Sequence, residues 1–374
     1  MRDLLVVPDD PARLIPALHA ALDGSGPAVL PVPPDAQADP APSRVPLPVA
    51  VVVRTSGTSG VPKSVALSSG ALLASAAATE SALGGPGEWV LALPGHYIAG
   101  IQVIVRAIAA DTEPLPVAAG PFTAAAFAEA VLALRADRRR YTALVPTQLH
   151  RVVDAVESGD RRVREAVRVL DAVLIGGGRL PAELADRADA AGVLVRRTYG
   201  ASETAGGCVY DGVPLAGVDV RIVDGEVQLS GPTLAEGYLG DPERTAAAFL
   251  AEPGRRWYRT GDAGEWDGAR LSIVGRLDDV IITGGEKVSI GLVERAVQAL
   301  PGLGAALVVR AADPEWGDVP VVITTAAADL AAVRDAVGAS LGRAAAPRRI
   351  VVVDDIPLLA SGKPDRRALS ALAG

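Results

Sequence analysis

The apolar positions of this chain follow three successive patterns. The run Pro46–Arg54, with three consecutive valines, is short, β-branched and continuous, as in a buried strand. The first forty-eight residues before and around it, Pro-rich from 27 to 48, read as a loose lead-in. From Ser69 to about Gly200, short apolar runs alternate with Ala-rich stretches of helical period. Strands are predicted at Trp89–Leu93, Ala143–Val145, Ala172–Ile175 and Val193–Val195, and helices around Ala124–Arg135 and Gln148–Glu157. That alternation predicts an α/β sheet with crossover helices.

Near Gly217 the period shortens. Val218–Val223 and Glu226–Leu229 flank Asp224-Gly225, the sequence of a type I′ hairpin. Trp257–Arg259 and Leu271–Val274 flank a second turn at Asp267-Gly268. After Gly275 the pattern reads helix (Ile290–Leu300), strand (Ala305–Arg310), strand (Val319–Thr324), helix (Leu330–Leu341) and strand (Ile350–Val353). The predicted fold class is therefore α/β: a large N-terminal α/β domain over 1–275, with a β-rich subdomain at about 215–275, and a small α+β C-terminal domain over 276–374.

Composition narrows the functional classes. The longest apolar candidate for a membrane span, Ile98–Ala110, is interrupted by Arg106, so no span is predicted. The start Met-Arg-Asp, followed by Pro8, Asp9 and Asp10, lacks the apolar stretch of a signal peptide. One cysteine excludes an internal disulfide and suits the cytoplasm. A net charge of −8 argues against a general nucleic-acid binder. Of 36 basic residues only Lys63, Lys287 and Lys363 are lysines. In a chain that otherwise uses arginine, these mark places where a slim, flexible ammonium is needed.

Five segments carry candidate chemistry. Thr55, Ser56, Gly57, Thr58, Ser59 and Gly60 directly follow a predicted buried strand and precede Lys63. Small and hydroxyl residues there let the backbone wrap phosphate oxygens, and the lysine adds a point charge. Val61 and Pro62 separate Gly60 from Lys63, so this is not a Walker A loop. The second segment, Thr198 to Thr204, has Glu203 in a hydroxyl-rich turn, a hard-oxygen ligand for Mg²⁺, beside the flat ring of Tyr199. The third, Tyr258 to Asp262, ends on an aspartate suited to ribose hydroxyls. The fourth runs Gly275-Arg276-Leu277-Asp278-Asp279 at the predicted domain boundary, followed by Gly284 to Val288. The fifth, Ser361 to Arg366, presents Lys363 on a glycine-flanked loop. Each short segment alone is also what an ordinary turn looks like; their order and spacing are what is informative.

In that order and spacing the five segments resemble the adenylate-forming superfamily of acyl- and aryl-CoA ligases, luciferases and peptide-synthetase adenylation domains, over about residues 50–369. The resemblance implies that the 55–63 loop cradles the ATP phosphates and that Gly176, Gly177 and Gly178 line the adenine and acyl pockets. It implies that Tyr199 stacks on adenine beside Gly200, that Ser202 meets the phosphates and that Glu203 binds Mg²⁺. Asp262 would hold the ribose, and Arg276 would meet it or the phosphates. Asp278 matches the hinge of a mobile C-terminal lid, and Lys363 matches the lysine bridging the substrate carboxylate and the α-phosphate. The implied reaction joins a carboxylic acid to AMP and then to a thiol, with ATP, Mg²⁺ and coenzyme A as cofactors and co-substrates. Lys363, Glu203 and Arg276 would be its catalytic residues, and Cys208 a packed bystander.

The phosphate loop begins near residue 55, whereas more than a hundred residues precede it in most acyl-CoA ligases. This feature and the stretch Tyr199–Gly212 resemble the short bacterial o-succinylbenzoate–CoA ligases of menaquinone biosynthesis. The alternatives are another aryl or acyl acid, transfer to a carrier protein, or a non-catalytic nucleotide-binding regulator. Members of this kind often pair as homodimers. The acyl pocket is expected to include His96, Tyr97, Gly200 and Ala201. Many relatives carry Leu-Pro-x-x-His, which would put the pocket histidine at position 97; here Tyr97 stands there and His96 comes one residue earlier. A one-residue shift reverses the face a side chain presents. A second substrate carboxylate would need a cation, with Arg106 and the arginines near 176–180 as candidates. His19 and His150 fall on helical faces away from this chemistry.

Overall fold

A computed structural model describes residues 1–34, 41–56, 62–359 and 364–374 of the 374-residue chain. The lead-in proves to be folded, which corrects the reading of the first forty-eight residues. Strand Arg2–Pro8, helix Pro11–Asp23 and strand Ala28–Val32 form a parallel β-α-β unit, with Leu4 opposite Ala28 and Val7 opposite Pro31. Asp10 caps the helix by accepting from the Ala12 amide, Pro11 opens it, and Gly24 ends it at φ +83°. Proline within Ala28–Val32 masked this strand in the sequence.

This unit belongs to a six-stranded sheet in which Ala28–Val32 adjoins Val49–Ser56, itself paired to Pro62–Ser68. A second, seven-stranded sheet has a parallel centre: Val195–Ala201, Ala172–Ile175, Arg139–Leu144 and Gly87–Leu91 lie side by side. Helices Ser69–Leu83 and Ile98–Ala109 share one apolar core with both sheets, through Leu72, Ile101 and Ile104 against Val51, Leu67, Trp89 and Leu174. Four further helices cover the other side of the second sheet around Phe127, Leu149 and Val167. Each fully buried aliphatic or aromatic side chain there contributes about 1.5–3 kcal/mol.

The β-rich region is a five-stranded sheet containing Asp219–Val223, Glu226–Ser230, Arg255–Trp266 and Leu271–Arg276. Its predicted type I′ turn is present: Asp224 and Gly225 both have positive φ, +50° and +79°, and Val223 pairs with Glu226. The last sheet holds Val280–Thr283, Glu286–Ser289, Leu307–Asp313 and Gly317–Thr324, with Arg349–Val352 parallel to the latter. Helices Ile290–Gln298, Leu330–Leu341 and Arg366–Ala373 pack on it. The two long sheets, the β-rich sheet and this α+β module match the expected architecture. Among the described residues no helix is long and apolar enough to cross a membrane.

Candidate active site

Where the first two sheets meet the β-rich sheet lies a cavity of about 680 Å³. Its walls are built by backbone that only particular residues allow. Strand Val195–Ala201 extends six residues beyond the predicted Val193–Val195, so Tyr199 and Gly200 stand on a strand rather than in a turn. A Cβ at Gly200 would lie 2.1 Å from the Gly206 carbonyl oxygen, so only glycine admits the neighbouring strand Gly206–Tyr210 this closely. The following short 3₁₀ turn, Ser202–Thr204, is closed by the Thr204 hydroxyl, which accepts from the Ala201 amide (2.9 Å) and donates to the Gly206 carbonyl (2.8 Å). The turn drives Glu203 inward until it is 4% exposed.

At one end of the cavity, Glu203 Oε1 accepts from Lys63 Nζ at 3.2 Å and from Tyr238 Oη at 2.8 Å. Thr55 and Lys63 are cross-strand partners, so the residues between them join two antiparallel strands. Gly57, Thr58, Ser59 and Gly60, and the side chain of Ser56, lie outside the described residues. Among the described residues no group of three or more His, Cys, Asp or Glu could hold a metal ion. Glu203 is a buried carboxylate held by Lys63 and Tyr238.

A second cluster gathers around Asp262. Tyr199 Oη donates to Oδ2 at 2.6 Å, and Arg276 Nη1 donates to Oδ1 at 3.2 Å. Arg276 also makes a two-pronged pair with Asp278 at 2.9 and 3.2 Å, which holds its guanidinium above the ordinary value. Burial pushes the Asp262 carboxyl up; the Tyr199 hydrogen bond and Arg276 pull the other way. Glu226 was not singled out in the sequence. Its carboxylate accepts from the Gly261 amide at 3.0 Å and Arg259 Nε at 2.8 Å, fixing the turn that presents Asp262. Gly176 and Gly177 reach the cavity wall, and a Cβ on Gly176 would strike the Thr198 hydroxyl at 2.5 Å; Gly178 faces Pro146 instead.

The third wall is helix Ile98–Ala109. Tyr97 and Ala201 line the cavity, whereas His96 turns away and donates from Nδ1 to Asp9 at 2.6 Å. One helical turn apart, Gln102 and Arg106 also reach the cavity. Arg106 is 7% exposed; among the described residues its Nε has no hydrogen-bond partner, and its Nη2 donates to Tyr210 Oη at 3.4 Å. Its ring contact is Trp89, 5.1 Å from the guanidinium carbon. Burial lowers its affinity for the proton, and only Tyr210 counteracts. Arg179, the other cation considered, is exposed near Arg295 and does not line the cavity. Cys208 is buried, with its thiol pushed up to about 12, so it is no nucleophile at neutral pH. His19 and His150 pair with Asp23 and Asp154 on exposed helix faces.

Lys363 lies outside the described residues. The backbone on either side of it is described: Leu358 bridges Pro364, and Leu359 forms part of the cavity wall. Beyond it, Arg366 reaches Glu294 at 3.1–3.2 Å and the Val308 carbonyl at 3.0 Å.

The chain belongs to the AMP-binding enzyme family: residues 7–239 match the AMP-binding enzyme domain and 292–363 the AMP-binding enzyme C-terminal domain. It is 42% identical over 378 residues to the "Probable 2-succinylbenzoate--CoA ligase" of Mycobacterium tuberculosis, covering 96% of this chain and 94% of that protein. The 2-succinylbenzoate–CoA ligase of Salmonella typhimurium is 34% identical over 286 residues, 72% of this chain and 56% of that protein. Among solved structures, an arginine-to-lysine variant of Escherichia coli MenE with bound OSB-AMS covers 92% of this chain and 82% of its own, at 26% identity and TM-score 0.72. The amide bond synthetase McbA of Marinactinospora thermotolerans covers 99% of this chain and 80% of its own, at 27% identity and TM-score 0.73.

Proposed function

We propose that this enzyme uses ATP and Mg²⁺ to convert o-succinylbenzoate (2-succinylbenzoate) to its acyl-adenylate, then transfers the acyl group to coenzyme A, as a step of menaquinone biosynthesis. The names of its relatives support the acid, and Arg106 is the observation that carries the choice: a buried cation on the cavity wall, with no carboxylate partner among the described residues. A substrate with two carboxylates can present one to Arg106 while the other is activated.

In this reading the ribose hydroxyls displace Tyr199 or Arg276 from Asp262, and adenine lies against Tyr199, Gly176 and Gly177. Lys63 leaves Glu203 for a phosphate oxygen and frees that carboxylate for the Mg²⁺ that arrives with ATP. Bound at Glu203, that cation would supply charge neutralisation at the phosphates. Lys363 joins the reacting carboxylate to the α-phosphate, where negative charge builds as pyrophosphate departs. Residues 276–374 then turn about Asp278, and Lys363 withdraws so that a thiol reaches the adenylate. The Arg276–Asp278 pair stands at that junction, between the last strand of the β-rich sheet and the first of the α+β module.

Pyrophosphate release with o-succinylbenzoate, benzoate, a medium-chain fatty acid and mixed amino acids tests the reading, with CoA added afterwards. Selective turnover of o-succinylbenzoate and a CoA thioester by mass spectrometry are expected. Turnover of another acid alone would overturn the substrate, and a product on carrier protein but not on CoA would overturn the acceptor.

A further inference from the structure

We propose that Asp9, in the turn between the first strand and first helix, is a positioning residue for the acyl substrate: it clamps the loop that places Tyr97 on the cavity wall. The inference rests on the reading of the cavity as an acyl site. Asp9 is 11% exposed in its side chain, and its backbone N–H donates a hydrogen bond to the Val32 carbonyl (2.8 Å). Its two oxygens take three donors from two successive residues. Oδ1 accepts the Gly95 amide at 2.9 Å; Oδ2 accepts His96 Nδ1 at 2.6 Å and the His96 amide at 3.4 Å.

The loop is closely packed on both sides. A Cβ on Gly95 would lie 2.5 Å from Leu14 on the first helix and 2.8 Å from Asp9 Oδ1. A Cβ on Gly100 would lie 2.1 Å from the Pro94 carbonyl oxygen. The imidazole of His96, held by Asp9, packs against the Tyr97 ring with centroids 4.1 Å apart. Tyr97 then enters the helix that carries Gln102 and Arg106, accepting the Ile101 amide at 3.0 Å. Among the described residues His96 Nε2 is buried without a hydrogen-bond partner, and His96 lies off the cavity wall, so this histidine acts through packing on its neighbour. The one-residue offset noted in the sequence thus has a structural meaning. The histidine has become part of a support reaching into the N-terminal β-α-β unit, and a tyrosine shapes the pocket.

Charge-assisted bonds are the strong ones, so losing the carboxylate frees the loop. Asp9→Ala is expected to raise KM for the acid by about tenfold while KM for ATP changes by less than about twofold. Asp9→Asn, which keeps an acceptor for the Gly95 amide, should recover part of the loss. Tyr97→Ala should raise the acid KM similarly, and adding Asp9→Ala to it should do little more, because the aspartate acts through the tyrosine. Hydrogen exchange of the 93–97 peptide reads the clamp without substrate, and Asp9→Ala and Asp9→Asn should both accelerate it. Unchanged exchange, equal rises in both KM values, or additive effects in the double variant would each overturn the proposal. Failure of the wild type with o-succinylbenzoate would overturn the function reading instead and leave the exchange experiment to decide this one.

Discussion

Arg106→Met should lower kcat/KM for o-succinylbenzoate by about 10²–10³-fold, while leaving the folded protein as stable as before or more so. The two halves of that expectation come from one fact. Arg106 is a buried charge without a carboxylate partner among the described residues, held by a 3.4 Å contact to Tyr210 and the face of Trp89. Burying an ion that is not matched by a counter-ion destabilises a fold, so a methionine of similar length relieves a cost of about 1–3 kcal/mol, of which the Trp89 contact offsets about 0.5–2. Residual turnover of a monocarboxylic acid should be much less affected than that of the diacid. Thermal denaturation and a two-acid kinetic comparison check this. A thermal midpoint several degrees lower, with equal losses on all acids, would make Arg106 a structural residue.

Lys363→Ala should reduce adenylate formation by about 10³-fold or more, yet leave thioester formation from preformed acyl-adenylate within a few-fold of wild type. Among the described residues on either side of Lys363, Leu358 bridges Pro364 and the Asp365 amide donates to the Pro357 carbonyl (2.9 Å). Leu359 beside that bridge already forms cavity wall, and Arg366 ties the terminal helix to Glu294. In the proposed reaction Lys363 would serve the step in which charge grows on the α-phosphate and would have no task once the C-terminal residues have turned. Rapid-quench assays of each half-reaction separate the two. Equal losses in both would contradict the role.

Much of this architecture is legible in the sequence, for reasons that differ from place to place. Asp224-Gly225 and the continuous valines of Val49–Ser56 are local signals, and local chemistry alone settles them. The three rare lysines and the ordered motifs bring Lys63, Glu203, Asp262 and Arg276 into view, and the fold gathers these four around one cavity. What escapes is long-range. The strand Arg2–Pro8 ends on a proline and its partner Ala28–Val32 contains another, so its pairing emerges only in the sheet. Glu226 and Tyr238 belong to the site because a β-rich sheet and an edge strand are brought against residues far away in the chain; their flanking sequence carries no chemical motif. Tyr97 and His96 exchange roles through a carboxylate 87 residues upstream, which no window on the sequence connects.

One cavity is proposed to hold the nucleotide at Asp262 and the acid at Arg106. Titration with a non-hydrolysable mimic of the o-succinylbenzoyl-adenylate tests it most directly. The mimic should bind about 10²-fold or more tighter than AMP, and both Arg106→Met and Asp262→Ala should weaken it markedly. A mimic that binds no better than AMP, or that is indifferent to Arg106, would contradict the account.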